Sequence, residues 1–271
     1  MMRRNAPLAF LTALATAACG GGAPTQEEID QARDRVDATL GVAAQARSAL
    51  EVLGLLPVYT CGEPRRSFVG KAAESAHARL GCVTASAEAL DASTDAVVLS
   101  FPQGGCELHS HTITGQTAFK YSGGEDRMDV KADLHGLQVD GEALAVEVGY
   151  GTCSDESRFY AQADGPLPHK PGYVYRVYSQ VGVREGVPVI GGTSLVFTGP
   201  GEFTGPEGTN RLTFTELEYE LGEYAPKDGE ALLETDDGRT VRAEFSQTLW
   251  RLGKMKLTIN DRDPVTVPIV R

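Results

Sequence analysis

The residues whose types and spacing best suit chemistry lie in the stretch Glu107-Leu108-His109-Ser110-His111. Alternate residues of a β-strand share a face, so a strand here would present Glu107, His109 and His111 together. Two imidazoles so placed can grip Zn²⁺ or Cu²⁺, and the carboxylate would complete a three-ligand set. His135 is expected to pair with Thr112 on the opposite face, so it supplies no fourth ligand. Two histidines at the end of a sheet also pack or hydrogen-bond without metal. Asp236-Asp237-Gly238 and Asn260-Asp261-Arg262-Asp263 offer oxygens of the kind Ca²⁺ takes. The same residues are what tight turns require, and neither stretch has EF-hand spacing, so both read as turns. Tyr173, Tyr175, Tyr178, Tyr219 and Tyr224 are the material of a ligand face or glycan platform. Aromatic residues also have high strand propensity, and Tyr173 and Tyr175 fall on a face assigned to the core. The surroundings of the single Trp250 are uninformative.

Nucleophile and phosphate signatures are absent: no G-x-S-x-G, no P-loop, no H-E-x-x-H, and no G-x-G-x-x-G between a strand and a helix. No cofactor is expected. A catalytic group assembled from scattered residues would leave no such motif.

The N-terminus carries an address. Arg3 and Arg4 precede an apolar run, residues 6–18, that is too short to span a bilayer and fits the core of a secretory signal peptide. The run ends in Thr16-Ala17-Ala18-Cys19, which resembles the lipobox of bacterial lipoproteins. That resemblance covers only about the first 22 residues and implies removal of residues 1–18 and lipidation of Cys19. Residues 19–24, with three consecutive glycines, read as a flexible tether. Gly20 stands where lipoproteins kept at the inner membrane commonly have Asp, so the resemblance implies the outer membrane. The alternative is ordinary cleavage at Ala15-Thr16-Ala17, which would release a secreted protein. Losing Arg3 and Arg4 takes the formal net charge from −12 to −14. Such acidity argues against binding to a phosphate backbone.

Cysteine usage agrees with export. With Cys19 set aside, Cys61, Cys82, Cys106 and Cys153 form an even set without C-x-x-C spacing, as two disulfides in an oxidising compartment would. Folding the chain at residues 91–95 brings Cys82 to Cys106 and leaves Cys61–Cys153 by elimination.

The elements that must position these residues are mostly strands. Residues 25–57 read as a helical segment, with a Thr25-x-x-Glu28 capping box, apolar residues at three- and four-residue steps, and Gly54 and Pro57 as stops. Residues 61–77 are ambiguous, and 71–80 suit helix or strand. Thereafter alternation predicts a series of hairpins. One turns at Gly123-Gly124, setting Phe119 opposite Met128 and Ile113 opposite Leu134. A slip at residues 134–137 suggests a β-bulge. Another hairpin turns at Asp140-Gly141, setting Leu137 opposite Leu144. A third runs through a loop at residues 184–186, aligning Val183 with Val187. The expected fold is therefore mainly β: a large antiparallel meander over residues 58–271, curved or two-layered, with one N-terminal amphipathic helix. The function this suggests is a membrane-anchored, non-catalytic envelope module that binds a partner or serves structurally. One alternative is a carrier holding an apolar ligand between curved sheet and helix; the other is a metal-dependent enzyme at His109 and His111.

Overall fold

The computed structural model describes residues 22–109, 111–152, 158–167, 172–183, 194–206, 208–220, 225–248 and 252–269. Cys19, Cys153, Tyr224, Trp250 and the loop expected at 184–186 lie outside them. Two helices come first, α1 (Gln26–Leu53) and α2 (Arg65–Arg79). Strands follow: β1 (Thr84–Ala89), β2 (Thr94–Leu108), β3 (His111–Gly124), β4 (Arg127–Asp133), β5 (Leu137–Val139), β6 (Glu142–Ala143) and β7 (Val146–Thr152). The second half holds β8 (Arg158–Pro166), β9 (Val174–Val183), β10 (Ser194–Gly205), β11 (Gly208–Glu220), β12 (Asp228–Thr235), β13 (Thr240–Thr248), β14 (Leu252–Ile259) and β15 (Val265–Ile269). All belong to one antiparallel open sheet in which each strand pairs with its chain neighbour. The exceptions are β5 and β6, a side hairpin against β3 that lets β4 pair directly with β7.

α1 starts where its sequence says it should. The Thr25 hydroxyl accepts from the Glu28 amide, and Glu28 returns a bond to the Thr25 amide. Its second half is unusual: every residue of 46–53 is buried. Eight consecutive residues exceed two turns, so that stretch is covered from all directions. The sheet does the covering by curling. The Arg47 guanidinium lies 3.0 Å from His111 Nε2 on β3 and 5.9 Å from the ring centre of Tyr219 on β11. Six strand spacings separate β3 from β11 along the sheet, about 29 Å if it were flat. One side chain can touch both only if the sheet rolls around the helix.

α2 occupies part of the ambiguous stretch and corrects the expectation of an uninterrupted β region from residue 58. It packs on β1, β2 and β3. From its first turn Arg65 clamps two hairpin ends, donating to Asp95 Oδ2 at 2.7 Å, to the Gly123 carbonyl at 2.7 Å and to the Ala92 carbonyl at 3.2 Å.

Three expected registers are corrected. Phe119 faces Ala132, not Met128, because Gly123 and Gly124 remain in the strand and the turn falls at residues 125–126. Ile113 faces Val139 on β5, not Leu134. Val183 pairs with Leu195, not with Val187. The Phe119 shift, by four positions, is even, so its partner keeps the expected face; the Ile113 shift, by five, is odd and is taken up at the turn over residues 134–137. The Asp140-Gly141 hairpin has the expected register, with Val139 opposite Glu142 and both turn residues at positive φ. The slip at 134–137 is a full turn between β4 and β5, closed by the Leu137 amide on the Leu134 carbonyl. Cys82 and Cys106 form a disulfide with Cα atoms 5.8 Å apart. Cys61 is also disulfide-bonded; Cys153, its expected partner, lies outside the described residues.

Candidate functional site

His111 does sit at a concentrated polar site, although not the one its spacing suggests. The chain turns at His109, with Leu108 paired to His111 and His109 at a φ of 47°. Glu107 therefore lies one residue before the end of β2, His109 is in the turn and His111 begins β3, so the expected single strand face does not exist. Among the described residues, no group of three or more His, Cys, Asp or Glu side chains is arranged to hold a metal ion. His135 is exposed and bonds locally to Asp133.

The turn at Asp140 docks against this hairpin. Asp140 Oδ1 accepts from the Thr112 amide at 2.8 Å, and the Asp140 amide donates to the Thr112 carbonyl at 2.8 Å. That places Asp140 Oδ2 2.7 Å from His111 Nδ1. On the other side of the ring, Arg47 Nη2 approaches Nε2 at 3.0 Å. An arginine can only donate, so Nε2 accepts and the ring proton is on Nδ1, donated to Asp140. Arg47 Nε lies 3.4 Å from Glu51 Oε1, one helical turn on, and both side chains are almost wholly buried. Glu51, Arg47, His111 and Asp140 thus form one polar line from the axis of the roll to its rim, with Tyr219 under the guanidinium.

Chemically, Asp140 and His111 resemble the base-and-orienter half of a hydrolytic triad. The position a nucleophile would take on Nε2 is filled by a guanidinium, which has no proton to yield at ordinary pH. What the line does is fasten α1 to the wall of the roll. Burying these charges carries a desolvation cost that only close partners offset, and Arg47 Nη1 is left without a hydrogen-bond partner.

The acidic stretches are turns. Asp237 bonds Arg239 and Thr235, and these contacts hold its carboxyl well below the usual range. Asp236 accepts from the Thr209 amide, and Asn260 from the Thr240 amide, each at 2.9 Å. Arg262 donates to Glu28 at 2.6 Å, tying the β14–β15 turn to the start of α1; that bond, with the cap contacts, lowers the Glu28 carboxyl to about 2. The tyrosines divide: Tyr175 and Tyr219 are core, Tyr173 packs on Phe203, and Tyr178 is 45 % exposed on the outer face of β9. Two small clefts, of about 50 and 20 Å³, open between the first half of α1 and the ends of nearby hairpins. Sequence reasoning missed Arg47 and Tyr160, the latter being the outer-face neighbour of Tyr178. Arg47 offered no signal, since an arginine in a helix ordinarily reads as solvent-facing. Tyr160 alternates with the core-facing Ala161 and Ala163, a pattern that could have placed it on the outer face. Comparisons with protein-family models, with curated proteins and with solved structures return no match.

Proposed function

We propose that this chain is an exported, lipid-anchored protein of the cell envelope whose rolled sheet is a non-catalytic binding or structural module. The address rests on Thr16-Ala17-Ala18-Cys19 and the tether behind it; the disulfides are compatible with an oxidising compartment. The anchor in this reading is lipid on Cys19, and the membrane is the outer one, since Gly20 follows the Cys where inner-membrane lipoproteins commonly have Asp; no described helix is long and apolar enough to cross a membrane.

The observation that carries the module reading is α1 itself. The space inside a curved sheet where a carrier would hold an apolar ligand is filled here by residues 46–53 of the same chain. Among the described residues, the two clefts beside the first half of α1 hold a few waters at most, since one water needs about 10–15 Å³. What such a molecule offers to a partner is its outside. The metal-enzyme alternative is weakened because both ring nitrogens of His111 are already engaged.

The test is intact mass and membrane fractionation in a Gram-negative host, beside a Cys19→Ala version. A chain that begins at Cys19 with a diacyl increment and sits in the membrane, while the mutant does not, is the expected result. Two soluble proteins starting near residue 18 would overturn the anchoring and leave a secreted protein.

A further inference from the structure

The outer face of the roll carries a feature that its own folding does not use. Tyr160 on β8 and Tyr178 on β9 lie on the same face, because Tyr160 pairs with Gln180 and Gln162 with Tyr178. Their ring centres are 6.2 Å apart and the planes within 18° of parallel. Tyr160 leans over Gly149 of β7. A methyl group there would come 2.6 Å from the Tyr160 hydroxyl and 2.4 Å from the Val130 carbonyl, so only glycine lets the ring lie down on the sheet. Its hydroxyl reaches Glu147 Oε1 at 3.4 Å, which fixes its direction.

Shielding a glycine explains Tyr160 but not Tyr178, which remains 45 % exposed. Val174, four residues earlier on the same face of β9, is 55 % exposed. Around the rings stand the carboxamides of Gln162 and Gln180, both exposed, with Glu147 and Asp164 beyond them and the Arg176–Glu202 pair at the edge.

An aromatic pair, one ring half-buried and the other exposed, bordered by amides and carboxylates suits a ligand with one apolar face and many hydroxyls. Bases also stack on tyrosines, but a nucleic acid would meet carboxylates here and a chain of net charge −12. We propose that Tyr160 and Tyr178, with Gln162 and Gln180 beside them, form a platform for a neutral oligosaccharide. The inference rests on the reading of the chain as an envelope binding module and supplies its ligand class. The rings receive the C–H face of the sugar, and the amides bond its hydroxyls.

The experiment is calorimetric titration of the full chain with chitotetraose and with cellotetraose as neutral probes, beside Tyr178→Ala and Tyr178→Phe. Saturable binding of at least one probe is expected, weakened at least about tenfold in Tyr178→Ala and kept within about threefold in Tyr178→Phe. Because Tyr178 is exposed, thermal melting of Tyr178→Ala should match the unaltered chain, which separates lost binding from lost folding. No binding of either probe up to about 10 mM, or equal binding by Tyr178→Ala, overturns the platform. So does capture of an envelope protein through Tyr178 when neither sugar binds. The titration does not depend on Cys19. A failed titration with normal lipidation removes only the platform, and failed lipidation with normal titration removes only the anchor.

Discussion

The two halves of α1 are one continuous helix in two different environments. In the first half, Glu27, Asp30 and Gln31 face solvent while Ala32 and Val36 face the sheet, an ordinary amphipathic pattern. In the second, Ala43, Ala46, Ala49 and Leu50 are buried together with Arg47, Ser48 and Glu51. Each half holds an ion pair. Glu28–Arg262 sits at the rim, partly exposed, and Arg47–Glu51 lies in the axis of the roll, with side chains at 3 % and 2 % exposure. The chemistry is the same and the consequence is not. A rim pair is replaced by water when broken, whereas an axial pair that loses one member leaves a charge in a medium that solvates it poorly.

That contrast is best broken at its centre. Arg47→Met should destabilise by about 3–5 kcal/mol in urea unfolding, and adding Glu51→Leu should recover most of the loss. If Arg47→Met alone is neutral, the axial pair is solvated and the difference between the halves disappears. Packing sharpens the comparison next. Ala46→Leu should cost about 1–3 kcal/mol, because the enclosed half has no room, while Gln31→Leu should stay within about 0.5 kcal/mol. Smaller again is the cap: Thr25→Ala should cost about 1 kcal/mol by releasing both bonds of the capping box.

The smallest effect belongs to the rim pair and is best read by titration. The Glu28 carboxyl is held at about 2 against an ordinary 4.5, chiefly by Arg262 and then by Thr25. A depressed carboxyl stabilises the fold fully above 4.5 and loses that contribution as pH falls through about 2. NMR titration should show Glu28 moving back toward its ordinary value in Arg262→Ala, with little change in stability at neutral pH.

Much of the architecture can be read from neighbours in the chain. Thr25 and Glu28 announce the start of α1, Asp140-Gly141 is the turn it looks like, and the turn-rich stretch at 91–95 brings Cys82 to Cys106. Strand alternation assigned faces correctly even where pairing was misplaced: Phe119 faces Ala132 in place of Met128, four positions away and on the same side. Period-two patterns carry face but not register, because any even slip satisfies them. The site was harder. Alternation carried across the turn at His109 joined Glu107, His109 and His111 on a face that the turn divides. Nothing near Arg47 in the chain announces His111, 64 residues away, or Tyr219 beyond it.

Features that depend on residues a few positions apart are legible in the chain: the helix cap, the inward and outward faces of the strands, and the tight turns. The closeness of groups on distant strands, such as His111 on β3 and Tyr219 on β11 around Arg47, has no such local sign. The reason is geometric. Each strand contributes a modest twist and bend that leaves no local pattern, and only the accumulated curl of many strands around a helix made of small residues brings opposite walls within reach of one side chain.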